Sequence, residues 1–183
     1  MKTLTQISAD EFLLIAPKLG PCELVKGEIV PMVPGGFDHS NTSGNIFSLI
    51  RGWARKTKLG VVVTNEAGLV LEENPDTVRG GDVVYISYGR LSGDRRWKGF
   101  LKQIPELVVE VLSEDSTWND IEKKIAEYHD FGVDMVWVAD PHTLAVKLYP
   151  RKGKPRVLQT SDEITGGKLL PGFRCKVASF FDE

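Results

Sequence analysis

The chain has 183 residues, 42% hydrophobic and 26% charged, with a net charge of −2 and a pI near 6.0. These values fit one globular domain with a real core and exclude a disordered chain or a globally basic nucleic-acid binder, so any nucleic-acid contact must be a local patch. The two cysteines, Cys22 and Cys175, form no CxxC and no metal spacing, and no stretch approaches the roughly 20 apolar residues of a membrane span, which points to a soluble protein of a reducing cytoplasm.

Ser8 followed by Glu11 is a capping-box pattern, opening a short helix expected to end near Pro17. The apolar run at residues 12–16 is too short for a secretory signal, and Asp10 and Glu11 precede it. Residues 22–33 read as a β-hairpin turning at Lys26-Gly27, with Gly27 taking the positive φ. Pro34, Gly35 and Gly36 then break the chain. Residues 38–58 carry Ile46, Leu49, Ile50 and Trp53 at helical spacing, with Gly60 as the stop.

Residues 61–64, 68–72 and 82–87 read as three strands. A polar loop over 89–102 carries Arg90, Arg95, Arg96 and Lys98 around Trp97 and Phe100. Residues 105–112 form a nearly continuous apolar strand interrupted by Glu106 and Glu110, as expected of a central strand covered on both faces. A helix follows over 118–131, closed by Gly132, and then a strand over 135–139. That strand–helix–strand unit predicts a parallel pair with a right-handed crossover. Residues 144–149 and 156–159 suggest a further hairpin, and the tail over 168–181 is short and mixed.

Three residues carry candidate chemistry. Glu110 lies among Leu107, Val108, Val109, Val111 and Leu112. It is either a strand-end carboxylate reaching solvent or a buried one that needs a partner or a cation. Asp82 follows Arg79-Gly80-Gly81. It is either a turn residue or, if its strand neighbours that of Glu110, a second ligand for one hard cation. Lys124 falls inside the helical stripe of Ile121, Ile125 and Tyr128, while Glu122, Lys123, Glu127 and Asp130 fall outside it. An inward lysine breaks the binary pattern, and such breaks concentrate at functional sites; the alternative is a snorkelling stem with its ammonium in water. Together, two carboxylates for Mg²⁺ or Mn²⁺ and a lysine suit phosphodiester hydrolysis. Arg90, Arg95, Arg96 and Lys98, or Lys147, Arg151, Lys152, Lys154 and Arg156, would then hold the polynucleotide backbone.

The run Pro105-Glu106-Leu107-Val108-Val109-Glu110-Val111-Leu112-Ser113, followed by Asp120, Lys124, Tyr128, Gly132-Val133, Trp137 and Asp140-Pro141, resembles the bacterial "putative restriction endonuclease" domain family of the PD-(D/E)XK nuclease superfamily. Glu23-Leu24-Val25-Lys26-Gly27-Glu28, His39 and Asp82 also sit where its pattern would put similar residues. The resemblance covers residues 23–173 or so. It implies a mixed α/β fold: one restriction-endonuclease-like domain over residues 1–183, with a central mixed β-sheet flanked by helices, preceded by the N-terminal helix and hairpin. It further implies a Mg²⁺- or Mn²⁺-dependent nuclease acting on DNA, with Asp82 and Glu110 as metal ligands on adjacent strands. Gly81 replaces the family's usual proline, and Leu112 stands where the simple E-x-K form has its lysine. The resemblance implies that the lysine has moved to the following helix, as Lys124, the residue the helical stripe singles out. Glu23, Glu28 and His39 are placed along the same cleft without a defined role. The alternative is a catalytically inactive nucleic-acid- or protein-binding module that keeps the fold. A homodimer is expected, because two one-site copies would cut both strands of a duplex.

Overall fold

The computed structural model describes residues 6–91 and 98–182, without the side chains at positions 65 and 66. Helix α1 (Ala9–Ile15) is capped as its sequence predicts. Ser8 Oγ accepts from the Glu11 N–H, the Ser8 N–H donates to Glu11 Oε2, and the chain tightens into a 3₁₀ turn at Pro17. Strands β1 (Cys22–Val25) and β2 (Glu28–Pro31) form the hairpin, with both Lys26 (φ 50°) and Gly27 (φ 77°) left-handed, the backbone of a two-residue primed turn.

Helix α2 (Phe37–Thr57) buries Ile46, Ile50 and Ala54. It ends on Lys58, which takes a left-handed conformation (φ 56°), so Gly60 is not the stop but the first residue of the next strand. That strand, β3 (Gly60–Glu72), is a single element where the sequence suggested two. A register irregularity between Thr64 and Ala67 interrupts the pattern without ending the strand. Its partner β4 (Thr77–Ser87) starts five residues earlier than expected, because Arg79-Gly80-Gly81 is extended backbone inside the strand. The turn lies at residues 73–76, where Asn74 is left-handed (φ 59°) and Asp76 Oδ1 accepts its N–H.

The central unit follows the sequence closely. Strand β5 (Leu107–Val111) is buried along its length. Helix α3 (Trp118–Phe131) runs between a Thr117 cap and Gly132 (φ 115°), and β6 (Met135–Asp140) lies parallel to β5. Strands β7 (Ala145–Pro150) and β8 (Arg156–Leu158) continue the sheet antiparallel. Strands β9 (Glu163–Thr165) and β10 (Arg174–Lys176) form a separate two-stranded ribbon that the sequence did not reveal.

The main sheet runs β2-β1-β4-β5-β6-β7-β8, with β3 also paired to β4. Val78 and Val83 of β4 both pair with β3 on one edge, while Val78 meets Leu24 of β1 and Val83 meets Val109 of β5. β1 and β5 therefore occupy the same edge of β4 in succession, and residues 79–82 span the fork between them. Helix α2 and the C-terminal segment cover one face, burying Val83, Tyr85, Val109 and Trp137 with Phe173 and Phe180. Helix α3 covers the other, burying Val84, Val108, Val136 and Val138 under Ile121, Ile125 and Tyr128. None of the described helices is long and apolar enough to cross a membrane.

Candidate active site

The pairing of β4 with β5 runs from Tyr85–Leu107 through Val84–Val108 to Val83–Val109, and Asp82 and Glu110 are the next residues of the two strands. Residues two apart along a strand project to one face, so Asp82 and Glu110 share the α3 face with Val84 and Val108. Both carboxylates sit at the mouth of the fork and are largely buried, 7% and 3% exposed. Asp82 Oδ2 accepts the Val111 N–H at 2.7 Å, supplying a partner to a backbone donor at the end of β5. Its Oδ1 lies 3.2 Å from His39 Nε2, which comes from the first turn of α2. Gly35 makes room for this contact, since a Cβ there would collide with the His39 ring.

Helix α3 delivers two side chains to Glu110. The Lys124 ammonium donates to Oε2 at 3.2 Å, and the Tyr128 hydroxyl donates to Oε1 at 2.6 Å. Lys124 is also 3.3 Å from Glu23 Oε1. Its side chain is 18% exposed, against 60% for Lys123, so the helical stripe placed the two lysines correctly. Glu23 is buried on β1, where it accepts the Gly80 N–H at 3.0 Å and the Arg79 guanidinium at 2.8 Å. Arg79 in turn makes a two-pronged contact with Glu127 at 2.6 and 2.9 Å.

These charges shift one another. Burial pushes the Glu110 carboxyl up to about 7; the Lys124 ammonium opposes the shift and the Asp82 carboxylate adds to it. Burial alone would lower the Lys124 ammonium, but Glu110 and Glu23 outweigh it and hold the pKa above its ordinary value. Lys124 is therefore a fixed cation suited to electrostatic stabilisation rather than to taking up a proton. Burial, with Glu110 beside it, raises Tyr128 well above the ordinary phenol range.

A cavity of about 160 Å³ is lined by Asp82, Glu110, Val111 and Lys124, with His39 and Ser116. A larger groove of about 830 Å³ adjoins it through Val33, His39 and Ser113. Among the described residues no group of three or more His, Cys, Asp or Glu side chains could hold a metal ion. Two carboxylates on a solvent-connected cavity nevertheless fit Mg²⁺, which takes oxygen ligands, keeps several waters and is often held by one or two carboxylates. Each oxygen keeps lone-pair capacity beyond its present partner.

Glu23 and His39 thus join Asp82, Glu110 and Lys124, whereas Glu28 is exposed on β2, away from them. Arg79 and Glu127 were missed. Arg79 lay in a presumed turn, and Glu127 falls outside the apolar stripe, yet its carboxylate is within reach of the guanidinium. Leu112 packs with the α3-side cluster, an apolar contact where a strand lysine would otherwise stand. Of the proposed backbone-holding residues, Arg95 and Arg96, with Trp97, lie outside the described residues. Arg90 is committed to Glu106, Asp134 and two carbonyls. Lys147 sits 3.5 Å over the Trp118 ring, while Arg151, Lys152, Lys154 and Arg156 are exposed.

A mixed sheet with helices on both faces makes this an α/β domain with acidic residues on adjacent strands. The chain belongs to the family described as "Putative restriction endonuclease" (Uma2), whose model matches residues 9–178. It is similar in fold to a solved structure described as a putative nuclease belonging to DUF820 from Anabaena variabilis, with a TM-score of 0.78 and 20% identity over 96% of this chain and 97% of that one. No curated protein matches the chain.

Proposed function

We propose that the chain is a Mg²⁺-dependent nuclease that hydrolyses phosphodiester bonds of DNA. Asp82 and Glu110 hold the metal, which Mn²⁺ can replace, and Lys124 assists from α3. The observation that carries this reading is Asp82 and Glu110 on paired strands, lining one open cavity with the Lys124 ammonium 3.2 Å from Glu110. Held by Asp82 and Glu110, a divalent cation would supply Lewis acidity toward the phosphoryl group and toward the attacking water. Lys124 offsets negative charge growing on the phosphoryl oxygens. The Val111 N–H and His39 hold Asp82 in place, and Tyr128 holds Glu110. Preorganised groups of this kind need no rearrangement as the reaction proceeds.

The chain acts in this reading as one domain in the cytoplasm, where its DNA substrate lies, and as a homodimer whose two sites cut both strands. The rival is an inert binding module that keeps the fold; the complete set of Asp82, Glu110 and Lys124 weighs against it. Nicking of supercoiled plasmid with Mg²⁺ or Mn²⁺, beside Asp82→Ala, tests the choice. Metal-dependent nicking lost in the variant supports the nuclease. Wild type without activity, or a variant that nicks equally well, overturns it.

A further inference from the structure

We propose that Glu23, buttressed by Arg79, is a positioning residue that fixes the Lys124 ammonium against Glu110. The inference deepens the nuclease reading and rests on it for its kinetic consequence. A lysine stem is long and flexible and, left alone, carries its charge to water. Lys124 instead lies between two carboxylates, Glu110 at 3.2 Å and Glu23 at 3.3 Å. The two anchors differ. Glu110 lines the cavity and is a candidate metal ligand, whereas Glu23 does not line it. Both Glu23 oxygens are engaged, Oε1 by the Gly80 N–H and Lys124, and Oε2 by Arg79. Held by these partners and set back from the cavity, Glu23 is placed to anchor the lysine rather than to meet a cation.

Arg79 closes the arrangement. Its guanidinium grips Glu127, three residues beyond Lys124 on α3, so the chain of contacts returns to the helix that carries the lysine. The ring Lys124–Glu23–Arg79–Glu127 ties β1, β4 and α3 together at the fork and fixes the rotation of the helix about its axis. It contains two cations and two carboxylates and is electrically balanced. Asp82 and Glu110 are left over as the acidic pair facing the cavity. When Glu110 is drawn toward a cation, Glu23 keeps the ammonium from leaving the site.

The test uses Glu23→Gln, which keeps an acceptor for Gly80 but loses the charge. In metal-dependent cleavage, kcat should fall about 10- to 100-fold, with KM and the half-saturating metal concentration within about twofold of wild type. In a Lys124→Ala background the same change should have no further effect, because contacting residues are non-additive. A merely structural role predicts equal losses in both backgrounds, which would overturn the proposal. A crystal structure of Glu23→Gln gives a readout independent of activity. Lys124 should be displaced or disordered, and an ammonium unmoved at Glu110 would refute the proposal even if the protein proves not to be a nuclease. A displaced ammonium in a protein that never cuts DNA would sustain the positioning role while the nuclease reading fails. If Glu23→Gln does not fold, Arg79→Lys, which keeps the charge but not the two-pronged grip, carries the same measurements with the same expected results.

Discussion

Lys124 and Tyr128, one turn apart on α3, divide the two oxygens of Glu110 between them, the ammonium at Oε2 and the hydroxyl at Oε1. The carboxylate is thus held by the helix as firmly as by its own strand. Two close carboxylates, considered alone, predict that truncating either relieves repulsion at no cost. The contacts reverse that expectation for Glu110. Glu110→Ala leaves a buried hydroxyl and a largely buried ammonium short of a partner, at about 1–3 kcal/mol for an unsatisfied group and up to about 5 kcal/mol for a broken buried pair. Glu110→Gln, which keeps an acceptor for Tyr128, should cost less. Urea denaturation without metal checks the order.

The pH dependence of stability carries the signature of the same residue. Burial raises the Glu110 carboxyl in the folded state to about 7, while in the unfolded chain it titrates near its ordinary 4.5. Between these values the folded state holds a proton that the unfolded state has lost. The favourable contribution is complete below about 4.5 and is lost as pH rises through about 7. Wild type should therefore lose stability relative to Glu110→Gln across that window. Parallel denaturation curves at pH 5 and pH 8 measure it, and an unchanged difference would argue against a protonated, buried Glu110.

Neighbouring lysines offer an internal control for the cleavage assay. Lys124→Ala should abolish most cutting, since its ammonium is fixed at Glu110. Lys123→Ala should change the rate little, because that side chain is 60% exposed and its contact is Asp120 at 3.6 Å, a surface pair of small worth. Cleavage rates of the two purified variants decide the point, and the reverse ranking would assign the cationic role to the wrong lysine.

The strand–helix–strand unit from β5 to β6 was legible because each signal is local: an apolar run, a helical stripe and Gly132 at the end. Lys124 was legible for the same reason, as a charge in that stripe. What was missed depends on pairing between distant segments. Gly80 and Gly81 look like a turn until β3 pairs with them, and the three-residue strands β9 and β10 are too short to show a period. Glu127 sits off the apolar face, and the arrival of Arg79 from β4 gives its carboxylate a partner. Trp53 and Trp137 pack against Phe173, and the exposed Trp118 ring carries the Lys147 ammonium, contacts that also join distant segments.

The central claim is that Asp82 and Glu110 form one cation site, and melting temperature against metal concentration tests it most directly. A cation that binds the folded state alone stabilises it by mass action, about 2.7 kcal/mol at a hundredfold excess over Kd. The melting temperature of wild type should rise with Mg²⁺ and more strongly with Mn²⁺, following the usual affinity order. The rise should vanish in Asp82→Ala and in Glu110→Gln. A wild type indifferent to both metals, or variants that respond as wild type does, would contradict the site.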